Sequence, residues 1–147
     1  MKFYDHWGHG VAVFVEYPER THSVRHRGNG TLITQQEDPE GLKNNWFHLP
    51  IPTPTTQSDQ PIYLHYIHLR AETNENARIA EAHIRMDNAL IHTQNCNWVG
   101  QCVDEQFKLP EVRKVTGAIN LCIRVEFLSG EPLGIVHFFG AGGRFGA

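Results

Sequence analysis

The sequence predicts an all-β chain: a single-domain antiparallel β-sandwich, jelly-roll-like or related, of about eight strands. Three observations lead there. Ile119, Leu121, Ile123, Val125 and Phe127 alternate with Asn120, Cys122, Arg124 and Glu126, the two-residue period of a strand with one face buried and one face wet. Runs rich in β-branched and aromatic residues recur along the chain between Gly, Pro, Asn and Asp clusters, as in a sandwich of short strands. Finally, the turn-forming segment Ser129-Gly130-Glu131-Pro132-Leu133-Gly134 separates the first run from residues 135–139, which predicts that the second run folds back as its antiparallel neighbour.

The elements follow in order. Residues 11–17 read as a strand ended by Pro18, and 30–35 as another, followed by an acidic turn over 37–41. Residues 46–51 form the next strand. Pro50, Pro52 and Pro54 cannot donate to a ladder, so 50–54 reads as an extended edge or crossover before a long strand over 62–73. Asn74-Glu75-Asn76 makes a turn. Residues 77–93 have a composition that suits a helix, yet Arg78, Ala80, Ala82, Ile84 and Met86 alternate with Ile79, Glu81, His83, Arg85 and Asp87, and Asp87-Asn88 suits a hairpin turn. Two strands are the preferred reading. The stretch 96–117 has weak periodicity and reads as a long connection with at most a short strand near Phe107. Gly140-Ala141-Gly142-Gly143 reads as a turn-forming or flexible tail, with no following helix to hold a phosphate.

Composition narrows the function classes. The chain of 147 residues is 40% hydrophobic, and 13 Lys and Arg stand against 16 Asp and Glu for a net charge of -3, so there is no basic field for nucleic acid. No segment approaches the roughly 20 apolar residues of a membrane span, and the amino terminus lacks a signal-peptide core. A cytoplasmic protein with reduced thiols is expected, since Cys96, Cys102 and Cys122 are odd in number. Five residues separate Cys96 from Cys102, which fits no zinc knuckle.

The run Trp46-Phe47-His48-Leu49-Pro50-Ile51-Pro52-Thr53-Pro54, the hairpin at Asp87-Asn88, and the closing Phe138-Phe139-Gly140-Ala141-Gly142 resemble those of a group of small bacterial all-β proteins. That resemblance implies the β-sandwich and carries over no catalytic residue. Residues 132–137 also match part of the second metal motif of cupins, and His65, His68 and Glu72 loosely resemble the first. Here the two histidines are three apart where cupins place them two apart, and Ala141 stands where the motif has Asn. Histidines three apart on a regular strand face opposite sides and converge only across a bulge. No metal or other cofactor is therefore expected.

The most coherent polar set combines three strand faces. With Ile67 and Leu69 turned inward, Tyr66 and His68 lie outward; Glu81 and His83 share a face of their strand, and Arg124 and Glu126 share one of theirs. These six residues are predicted as one mixed-charge surface: a solvated array of ion pairs, a subunit interface or a small-molecule site. In the last case His68 or His83 serves as acid or base, Glu81 or Glu126 orients it, and Arg124 holds an anion. Residues 62–73 carry apolar groups on both faces, Tyr63, Ile67 and Leu69 on one and Ile62, Leu64 and Tyr66 on the other, which predicts a homodimer or homotrimer. Two function classes stay open. One is a binding and assembly module for a small organic ligand or carbohydrate; the other is an enzyme using His/Glu acid–base or metal-assisted chemistry.

Overall fold

A computed structural model describes residues 2–35, 43–57 and 59–147. Its strands are β1 (Phe3–His9), β2 (Phe14–Val15), β3 (Thr21–Arg27), β4 (Gly30–Gln35), β5 (Asn44–Ile51), β6 (Thr56–Gln57), β7 (Gln60–Pro61), β8 (Tyr63–Thr73), β9 (Ala77–Met86), β10 (Ala89–Trp98), β11 (Val103–Lys114), β12 (Ile119–Phe127) and β13 (Gly134–Gly146). Two antiparallel sheets face each other. The first runs β11-β8-β13-β4-β3, with β1 also paired to β13; the second runs β10-β9-β12-β5-β2; β6 and β7 form a small ribbon. No helix among the described residues is long and apolar enough to cross a membrane.

One hydrophobic cluster fills the space between the sheets. Ile119, Leu121, Ile123, Val125 and Phe127 of β12 are all buried, and they meet Phe47 and Leu49 from β5 and Ile79, Ala82 and Ile84 from β9. Arg124 and Glu126 stay on the other face, half-buried. A one-residue slip would exchange these sets and bury both charges, which is what pins the register. The buried polar side chains Gln35 and Asn45 are tied to each other: Asn45 Nδ2 donates to Gln35 Oε1 and to the Tyr17 carbonyl, both at 2.9 Å.

Residues 77–93 form two strands joined at Asp87-Asn88, where Asp87 takes φ 51°, a left-handed turn conformation that Asp tolerates. Strands β4, β5, β8 and β12 stand where the sequence placed them, but several other expectations need correction. Run 11–17 keeps only β2 as strand. His9 Nδ1 accepts from the Val11 amide at 3.0 Å and turns Gly10–Ala12 into a 3-10 turn, and a second such turn starts at Pro18. The stretch 96–117 is no connection: β11 spans most of it, with Val103, Phe107 and Leu109 buried at every second or fourth residue. β12 and β13 are not neighbours, because they belong to opposite sheets and the segment between them crosses the sandwich. The glycine-rich end is no tail. It completes β13, a central strand whose first half pairs with β4 and second half with β1 while β8 runs along its other side. The acidic turn over 37–41 lies outside the described residues.

Bulges decide which side chains face the core, two of them in β8 and β9. In β8, Tyr66 opposes Arg144 but Leu64 opposes Phe145, so His65 is an extra residue. The extra residue flips the face, and Ile62 and Leu64 therefore join Ile67 and Leu69 in the same core. The apolar surplus that suggested self-association is absorbed in this way. In β9 the register shifts so that Val125 opposes Ile79 while Arg124 opposes Glu81. Ala80 is the extra residue, and Ile79 turns into the core, away from the polar face to which alternation had assigned it.

Candidate binding face

β1 closes the first sheet against β13, and its alternation sends Phe3, Asp5 and Trp7 outward. The opposing strand offers Gly140, Gly142, Arg144 and Gly146 at every second position. A Cβ on Gly142 would lie 2.7 Å from Trp7 Cδ2, and one on Gly146 would lie 2.8 Å from Phe3 Cδ1. The glycines are therefore floor tiles on which the two rings lie, and both rings stay partly exposed, Trp7 at 41% and Phe3 at 46%, with guanidinium groups of Arg70 and Arg144 over them.

Polar groups brace these rings. Arg144 donates from Nε and Nη2 to the two Asp5 oxygens at 2.8 and 2.7 Å, and its guanidinium sits 5.0 Å from the centre of the Tyr66 ring. That hydrogen bonding holds the Asp5 carboxyl below the ordinary carboxylate range. Across β8, the His68 ring packs 4.9 Å from Trp7 and its Nε2 meets Asp104 of β11. This contact, more than any other, lowers the Asp104 carboxyl. Arg70 stands 4.9 Å from the Trp7 ring centre with Nε 3.6 Å from the same Asp104. Two arginines are thus matched by two aspartates.

The surface between these groups is furrowed. A depression of about 280 Å³ lies over Asp5, Trp7, Tyr66, His68, Arg70 and Gln106. It shares Trp7 and Arg70 with a second of about 400 Å³ reaching His9 and Phe139. It shares Tyr66 and Arg144 with a third of about 300 Å³ reaching Phe3 and Pro110. The three form one shallow trough along the sheet.

The predicted six-residue surface divides. Tyr66 and His68 belong to this trough, whereas Glu81, His83, Arg124 and Glu126 lie on the outer face of the second sheet, on the far side of the core. There Glu81 Oε1 meets His83 Nε2 at 2.6 Å, Arg124 donates from Nε to Glu81 Oε2 at 3.0 Å and from Nη1 to Glu126 Oε1 at 2.8 Å, and Arg78 closes on Glu126. His83 is the main cause of the lowered Glu81 carboxyl, and Arg124 followed by Arg78 lowers Glu126. The sets separate because β8 pairs in the first sheet while β9 and β12 pair in the second, a strand order that alternation does not encode.

Phe3, Asp5 and Arg144 escaped the sequence reading. The alternation Phe3, Asp5, Trp7, His9 and the glycines at 140, 142 and 146 were the available signals, but neither means much without the other. The cupin-like histidines are placed as well. The β8 bulge puts His65 on the outer face, where its ring meets Phe3 edge-on at 4.9 Å, and His68 is engaged with Asp104. His137 is buried with Nδ1 3.4 Å from Glu72. Among the described residues no three His, Cys, Asp or Glu side chains stand together at metal-ligand spacing.

Residues 1–135 match the model of a family of unknown function, DUF6623. The chain belongs to that family. No curated protein matches it. Solved structures match at low identity. A CBM4 structure aligns at TM-score 0.51 and 14% identity over 88% of this chain and 86% of that chain. The CBM36-1 domain of a multidomain xylanase from the hindgut metagenome of Trinervitermes trinervoides aligns at 0.48 and 10% over 98% of each chain. A carbohydrate-binding module CBM36 in complex with calcium and xylotriose aligns at 0.45 and 7%, over 92% of this chain and 96% of that chain. The CBM4 likeness shows that this DUF6623 member shares the β-sandwich fold.

Proposed function

We propose that this protein is a carbohydrate-binding module that lays an extended, uncharged saccharide along the trough of the first sheet. The observation that carries the reading is Trp7, a rigid aromatic ring seated on Gly142, partly exposed in the trough, with the Arg70 guanidinium over the ring and hydrogen-bonding groups on its flanks. One face of a pyranose ring presents C–H groups and packs on such a ring, while its rim of hydroxyls takes up donors and acceptors of the kind that Arg70, Gln106 and Asp104 supply. Phe3 and Trp7 are four residues apart on β1, about 13 Å along a strand. A ligand touching both rings is therefore longer than one sugar. Asp5 pairs with Arg144 and Asp104 with Arg70, so the charges at the centre of the trough are matched in sign, with Lys108 at its Phe3 end. The CBM4 likeness agrees with this reading, which rests on the face itself.

The two histidines expected as acid or base, His68 paired with Asp104 and His83 paired with Glu81, sit on sheet faces on opposite sides of the molecule, with no deep pocket shared between them. That geometry favours holding a ligand over acid–base turnover. Affinity electrophoresis through gels containing neutral soluble polysaccharides, followed by calorimetry with the retarding polymer's oligosaccharides, tests the proposal. Trp7→Ala is expected to remove the retardation, with the longer oligosaccharides binding more tightly than the monosaccharide in the parent protein. Retardation unchanged in Trp7→Ala, or no retardation by any neutral polymer, overturns it.

A further inference from the structure

The depression at the Phe3 end of the trough has a structural cause that the other two lack. Tyr66 pairs with Lys108 and Leu64 with Arg113, so between these pairs β8 has the single residue His65 while β11 has residues 109–112. The ladder splits there. Pro110, with no amide hydrogen to give, sits in the surplus segment, and a strand with surplus residues bends away from its partner. The split leaves a hollow of about 300 Å³ whose walls include Phe3, His65, Lys108, Leu109, Pro110 and Val112.

Most of that wall is carbon. Phe3 and Val112 stay exposed beside Pro110, so apolar surface faces solvent with no element of the fold covering it. Two polar groups accompany it. The His65 Nε2 atom is buried and has no hydrogen-bond partner, a costly state in surroundings otherwise apolar. Lys108 stands exposed on the rim with no ion pair among the described residues. A concave apolar surface with a few placed polar groups is the usual form of a site for a small chemical group.

We propose that this hollow is an acyl subsite which, resting on the saccharide reading, takes an acetyl ester or acetylamino substituent of the neutral chain lying along the trough. The methyl group packs against Phe3, Pro110 and Val112. The carbonyl oxygen accepts from the Lys108 ammonium and, once the His65 ring rotates toward the hollow, from its Nε2–H. A carboxylate would also meet Lys108, but its second oxygen would lose water against walls of carbon. A bare alkyl group would leave the His65 nitrogen unmet. An acyl group is apolar at one end and accepts at the other, and it keeps the ligand uncharged.

Affinity electrophoresis of the full chain compares O-acetylated xylan and O-acetylated glucomannan with the same polymers after alkaline deacetylation. At least one acetylated polymer is expected to bind about tenfold more tightly than its deacetylated form, as one buried methyl and one hydrogen bond would give. Val112→Trp fills the hollow and should erase that difference with an unchanged far-ultraviolet circular dichroism spectrum; Val112→Lys serves if the tryptophan destabilises the chain. Trp7→Ala should abolish retardation by both forms. Equal retardation by acetylated and deacetylated polymers, or a preference that survives in the Val112 variants, overturns the acyl subsite and leaves the saccharide reading standing. Tighter binding of a uronic-acid polymer, lost in Lys108→Ala, also overturns it, because the hollow then takes a carboxylate. No retardation by any of these polymers overturns it as well, and the wider panel of neutral polysaccharides then decides the saccharide reading separately.

Discussion

Ile123→Ala is the sharpest test of the sheet packing on which the proposed face depends. Ile123 is fully buried at the middle of β12, opposite Phe47 of β5 and Ala82 of β9. The substitution removes three carbons, about 2.4 kcal/mol of transfer free energy at roughly 0.8 kcal/mol per methylene. The strands on both sides are hydrogen-bonded to β12 and cannot collapse into the gap, so a cavity penalty adds to this and the total is expected near 3 to 4 kcal/mol, within the range of about 2–5 for such truncations. Against a domain stability of about 5–15 kcal/mol the loss is large but survivable. Urea unfolding followed by tryptophan fluorescence reads it directly. With m of about 1–3 kcal/mol/M, the midpoint should fall by at least about 1 M with m unchanged. The neighbour Arg124, on the outer face, gives the contrast: Arg124→Met is expected to cost no more than about 1 kcal/mol. A loss below about 0.5 kcal/mol at Ile123, or a larger loss at Arg124 than at Ile123, refutes the assigned register.

Further outcomes follow from other sites. Asn45→Ala strands Gln35 Oε1 and the Tyr17 amide and carbonyl, and at about 1–3 kcal/mol per buried unsatisfied group it should lower the calorimetric Tm more than the exposed control Thr93→Ala does; equal shifts would count against the buried network. Gly142→Ala drives a methyl against the Trp7 ring and to 2.9 Å from the His6 carbonyl, so it should cost about 1–3 kcal/mol by overpacking and weaken saccharide binding, and parent-like affinity would show that Trp7 does not rest there in solution. Acid stability follows from Asp5, Glu81, Asp104 and Glu126, all held below their ordinary values by their partners. A depressed carboxylate contributes fully above its unfolded value of about 4 and loses that contribution as pH falls through the lower folded value. The urea midpoint should therefore drop below about pH 4, and less steeply in a Glu81→Gln/Glu126→Gln variant; an identical slope in that variant would remove these two groups from the account.

The all-β class, the strands over 46–51, 62–73 and 119–127 and the hairpin at Asp87-Asn88 were legible because each shows its own period or turn chemistry within a few residues. β3 and β11 were not, and both are edge strands whose side chains are largely solvated. An edge strand needs little apolar patterning, since one side of its backbone and much of its surface remain in water. The bulges at His65 and Ala80 were equally hidden. A single extra residue reverses the face of everything beyond it, and whether it is extra depends on the length of the partner strand.

The candidate faces divide along the same line. His68 and Tyr66, or Glu81, His83, Arg124 and Glu126, could be grouped by alternation within a strand, and each group is real. Their separation onto opposite sides of the sandwich was decided by strand pairing, which joins β8 to β13 and β9 to β12 across long stretches of chain. The trough depends on the longest such link of all. Trp7 becomes a platform only because Gly142, near the other end of the sequence, pairs directly beside it. Sequence by itself determined the local conformation of most of the strands, since a two-residue period is a property of neighbours. Which strands lie side by side, and therefore which residues share a surface, was decided only by the tertiary structure, because burial of the two inner faces is a property of the whole chain.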